Sequence, residues 1–155
     1  MKLARIVLFA VAALLALPAV AQTASDMQVL AEKIKADKKL VVAANLQLTE
    51  DEAKGFWPVY DAYQKDLQAL NQRLVGTVMD YAEAYNKGPV SDETAKKLIN
   101  EAIAIEEAEV KLKRSYVPRL EKVLPGVKVA RYIQIENKIR ALVRYELAAQ
   151  IPLVE

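Results

Sequence analysis

The chain has 155 residues, with 22 Lys and Arg against 20 Asp and Glu, and it contains neither His nor Cys. Those two absences exclude disulfides, thiol chemistry, His-based acid–base catalysis and the usual ligand sets of zinc, copper and haem. The four glycines stand apart at 55, 76, 88 and 126, so there is no glycine-rich phosphate loop; no enzyme, cofactor or metal site is expected.

Lys2 and Arg5 precede an apolar run from Ile6 to Leu17, which is shorter than the roughly 20 residues a membrane-spanning helix needs. Ala19 and Ala21 bracket Val20 in the small-residue pattern of a signal-peptidase site. The expectation is a signal peptide over 1–21, cleavage before Gln22, a single exported domain over 22–155, and no membrane span after cleavage. Without Lys2 and Arg5, twenty basic residues face twenty acidic ones. Such a balance gives nucleic acid nothing to be drawn to.

Apolar residues recur every three or four positions, which predicts helices throughout and an all-α fold. The first helix is expected from Asp26, after the cap candidate Ser25, to about Ala44. The second opens at Thr49-Glu50-Asp51-Glu52, a capping box in which the Thr hydroxyl and the Glu52 carboxylate each take a backbone amide. Its apolar seam runs Phe56, Tyr60, Tyr63, Leu67, Leu70, Leu74, Val78, Tyr81, Tyr85, and Gly88-Pro89 ends it.

A third helix starts after Ser91, with an inner stripe of Leu98, Ala102, Ile105, Leu112, Tyr116 and Leu120. The short connection predicts that helices two and three fold back on each other as a long antiparallel hairpin. A fourth opens near Pro125 and continues through Val129, Ile133, Ile139, Val143 and Leu147. Bends are expected at Pro58 and Pro118, since proline removes a helical hydrogen bond. The acidic clusters Glu50-Asp51-Glu52 and Glu106-Glu107 with Glu109 read as helix-end charges and a solvated face.

Leu48-Thr49-Glu50-Asp51-Glu52, opening a long helix in an exported helical chain, resembles the Leu-Thr-x-x-Gln signature of the Spy/CpxP family of periplasmic proteins. The motif positions are Leu48, Thr49 and Glu52, with Glu52 standing where the family has Gln. The place of the family's second copy, at the start of the last helix, holds Leu124-Pro125-Gly126-Val127-Lys128, which keeps only the Leu. The resemblance implies a bent, cradle-like four-helix homodimer in the periplasm. It also implies one of three roles: an ATP-independent chaperone for unfolded or stress-damaged clients, an envelope-stress signalling adaptor for one defined partner, or a metal-sensing relative. The lack of His argues against the third, and chaperone-like binding is the favoured expectation.

A long two-helix hairpin exposes apolar side chains off its main seam. The residues expected to contact clients or a partner are Phe56, Trp57, Val59, Tyr60, Val75, Ile103 and Val110.

Overall fold

The computed structural model describes residues 37–154, which are helical with no strand among them. The expected signal peptide and the first part of helix one, 26–36, lie outside the described residues. We label the helices α1, helical over 37–46 and ending two residues later than expected, α2 (Glu50–Lys87), α3 (Asp92–Glu121) and α4 (Gly126–Gln150). No described helix is long and apolar enough to cross a membrane.

α2 begins where its capping chemistry dictates. The Thr49 hydroxyl accepts the Glu52 amide at 3.3 Å and Glu52 Oε2 accepts the Thr49 amide at 2.8 Å, satisfying two amides that the helix leaves unpaired. Ser91 caps α3 by accepting the Thr94 amide at 3.2 Å. α4 has Pro125 as its cap with no side-chain bond, so the proline stands just before the helix, one place outside its predicted first turn. Gly88 ends α2 at φ 134° and ψ −160°, a positive-φ conformation outside the left-handed helical well that glycine adopts at little cost. Pro58 and Pro118 both lie inside helices that continue on either side.

The main packing is between α2 and α3, with a smaller contact between α3 and α4. Tyr63 stacks edge-on against Tyr116, Asp66 accepts from Tyr116 and Arg73 pairs with Glu101. In these pairs the α3 numbers fall from 116 to 101 as the α2 numbers rise from 63 to 73.

The core sits at one end of this pair. Val42 and Leu46 of α1, Phe56, Tyr60, Tyr63 and Leu67 of α2, Tyr116 and Leu120 of α3, Leu124, and Val129 and Tyr132 of α4 form a single buried cluster. Tyr132 is its hub, meeting Phe56, Tyr60 and Tyr63 with ring centroids 5.1–6.3 Å apart and edge-on. Burial of each such ring contributes about 1.5–3 kcal/mol, and edge-to-face contact adds roughly 0.5–1.5 kcal/mol per pair. Farther along, the buried apolar residues of α2 and α3 are Val78, Ala82, Leu98 and Ile105.

The predicted stripes need two corrections. Leu70, Leu74, Tyr81 and Tyr85 are half-buried, because beyond Leu67 the fully buried positions of α2 are Val78 and Ala82. On α4 the inner residues are Val129, Tyr132 and Glu136; Ile133, Ile139 and Leu147 are half-buried and Val143 is exposed.

Candidate binding surface

Three features of the fold bear on function, and the first is the motif itself. Leu48 packs partly buried against the core cluster, while Thr49 and Glu52 close the capping box. Glu52 Oε2 also accepts from Lys128 Nζ at the start of α4, and the same ammonium donates to the Gln47 carbonyl at 2.8 Å. Lys128 thus fastens the α1–α2 turn to α4. Its bond to Glu52, then the Thr49 amide, hold the Glu52 carboxyl below the usual carboxylate range. Glu52 in the first turn of α2 and Lys128 in the first turn of α4 are therefore partners, a pairing that neither segment reveals alone.

The second feature is a pair of buried carboxylates, each only 4% exposed. Glu136 Oε2 accepts from Lys38 at 2.8 Å and Oε1 from Gln64 at 2.9 Å, and Gln64 in turn bonds both Lys38 and the Tyr132 hydroxyl, which joins α1, α2 and α4. Burial, and then the Glu136 charge, push the phenols of Tyr60, Tyr63 and Tyr132 well above their ordinary range.

Glu109 is the centre of the other cluster. It accepts from Arg140 Nε at 2.8 Å and pairs with Lys113 at 3.6 Å and Arg144 at 3.4 Å, while Arg140 also donates to Asn71 at 2.7 Å. Burial raises its carboxyl, but the Arg140 bond and the surrounding cations outweigh that and leave it below the usual range. This corrects the reading of Glu109 as a member of a solvated acidic face. The signal lay in the predicted α3 stripe, which jumped seven residues from Ile105 to Leu112 over position 109. Among the described residues no buried side-chain polar atom lacks a hydrogen-bond partner. No described group of three or more His, Cys, Asp or Glu is placed to hold a metal ion.

The third feature is apolar and faces solvent. Val75 and Met79 on α2, and Ile99, Ile103 and Val110 on α3, are 43–59% exposed. Spacings of four and seven place them as one stripe on each helix. Val110 borders a cleft between α3 and α4 whose polar wall includes Glu109, Lys113 and Arg140. Leu142, Val143 and Tyr145 on α4 and Leu40 and Val41 on α1 are exposed as well.

The predicted contact residues divide accordingly. Val75, Ile103 and Val110 are exposed. Trp57 and Val59 are half-buried at the edge of the core, where Lys39 Nζ lies 4.9 Å from the Trp57 ring centroid. Phe56 and Tyr60 are buried, because α4 brings Tyr132 onto them, so they are corrected from surface to core. Met79, Ile99, Leu142 and Tyr145 join the exposed set although they were not expected there; they lie off every predicted stripe, which is itself the signal.

Comparison of the chain with protein-family models, with curated proteins and with solved structures finds no match.

Proposed function

We propose that this protein is an exported, periplasmic, ATP-independent chaperone-like protein that holds unfolded or stress-damaged clients on the exposed apolar stripes of α2 and α3. The observation that carries this reading is the exposure of Val75, Met79, Ile99, Ile103 and Val110 along the part of the α2–α3 pair beyond the main core. Apolar side chains of that size, set among Lys, Arg, Asp and Glu, suit weak and adaptable contact with many sequences. The resemblance of Leu48, Thr49 and Glu52 to the Spy/CpxP signature supports the same class. It also supports the finer architecture we propose, a bent antiparallel hairpin with flanking helices that pairs into a cradle-like homodimer.

The test is suppression of light scattering from a heat-treated or reduced client protein at near-equal molar ratio. The wild-type chain is expected to suppress aggregation. A Met79→Ser, Ile103→Ser, Val110→Ser variant should lose most of that effect while keeping its melting temperature, since none of the three is buried. Absence of suppression across several clients rejects the reading. Capture of one saturable partner from periplasmic extract, with no suppression, would favour the adaptor role.

A further inference from the structure

α4 is attached in two different ways along its length. Its first half is built into the core through Val129, Tyr132 and Glu136. From 141 to 146 every residue is exposed, and the later residues Leu147, Gln150, Ile151 and Pro152 are only half-buried. What ties this half down is polar: Arg140 and Arg144 on Glu109, Arg144 on Glu106 at 3.4 Å, and the Tyr81 hydroxyl donating to the Pro152 carbonyl at 3.0 Å. Segments with little apolar burial open well below the free energy of global unfolding.

We infer that residues 141–152 form a strap that lifts off the α2–α3 pair while the first half of α4 stays docked, with Glu109 as the latch. Lifting turns the half-buried Leu147 and Ile151 to solvent beside Leu142, Val143 and Tyr145, and so enlarges the apolar surface next to the α3 stripe. The consequence for clients rests on the proposed chaperone function; the motion does not.

Hydrogen exchange on the full chain tests the motion. In the wild type, amides of 143–152 should exchange at least tenfold faster than those of 56–67. Arg144→Ala, at a half-exposed position, unties the strap from Glu109 and Glu106 while leaving the Arg140 pair in place; it should speed the strap amides severalfold further and leave 56–67 unchanged. Tyr81→Phe should speed only the last turn. Strap amides as protected as the core, or equal acceleration of both regions by Arg144→Ala, would overturn the strap.

For the link to clients, Tyr81→Cys with Pro152→Cys, bridged by a bismaleimide, locks the strap in a chain that has no other Cys. The lock should cut aggregation suppression severalfold, and full suppression by the locked chain would overturn the link. A wild type that suppresses nothing would reject the chaperone reading and leave the exchange result standing.

Discussion

Gly55 of α2 lies directly beneath Val123, so that a Cβ added at position 55 would meet the Val123 Cβ and Cγ1 at 2.9 Å. A helix-interior glycine ordinarily costs roughly 0.5–1 kcal/mol relative to alanine. Here it is the residue that lets the turn after α3 sit against α2. Gly76, also inside α2, has nothing within 4 Å of the same added atom. The two glycines should therefore respond in opposite directions. Gly76→Ala is expected to stabilise by about 0.5–1 kcal/mol, and Gly55→Ala to destabilise by about 1–3 kcal/mol through overpacking. Urea unfolding with an unchanged slope measures both; a stabilised Gly55→Ala would show that Val123 moves aside freely.

The turn between α1 and α2 contains the only non-glycine residue at positive φ among those described, Gln47 at 52°. A side chain in that left-handed well costs roughly 1–2 kcal/mol, and glycine at the position after a helix end removes the cost. The carbonyl that accepts from Lys128 belongs to the backbone and is retained. Gln47→Gly should raise the thermal midpoint by several degrees. No change, or a loss, would mean that the Gln47 side chain contributes more than its backbone costs.

Much of the fold is legible in the sequence because its signals are local. The Thr49 capping box, the Ser91 cap and Gly88 each act within one turn, and the helix limits fall where they predict. Phase is less legible. A period of three or four leaves neighbours such as Tyr132 and Ile133 equally eligible for the core, and only the arrival of Phe56, Tyr60 and Tyr63 from α2 decides for Tyr132. Buried charge is the least legible. Glu109 and Glu136 sit at stripe positions, yet a search for apolar residues passes over them, and their partners Arg140, Lys38 and Gln64 are remote in the chain. Val75, Ile103 and Val110 lie off the predicted seam and are exposed.

The Glu109 cluster makes a prediction of its own. Removing one member of a buried ion pair strands the other charge, which typically costs about 3–5 kcal/mol. Lys113 and Arg144 remain near Glu109, so Arg140→Met should fall at or somewhat below the lower end of that range. Glu109→Met combined with Arg140→Met removes both charges and should recover a good part of the loss. Chemical denaturation of the two single variants and the double variant closes the cycle. A double variant worse than the sum of its singles would show that the shape of the pair, and not the stranded charge, sets the cost.

Acid sensitivity offers a direct test of the Glu52–Lys128 pair. The Glu52 carboxyl is held below its ordinary value of 4.5 by the Lys128 bond and then by the Thr49 amide. A carboxylate with a depressed folded-state value contributes stability that is fully present above its unfolded value and is lost as pH falls through the folded one. Glu52→Gln still offers an oxygen to the Thr49 amide, but it removes the charge that pairs with Lys128. The variant should therefore be less stable than the wild type at pH 7, and the gap should begin to close as pH drops below about 4.5, where the ordinary carboxyl titrates. Lys128→Met should narrow its own gap over the same interval, and the double variant should lose less than the two singles together. Melting curves from pH 7 down to pH 3 measure this. A gap for Glu52→Gln that stays constant across the range would mean that the capping geometry alone holds the α1–α2 turn, with no contribution from the charge pair to α4.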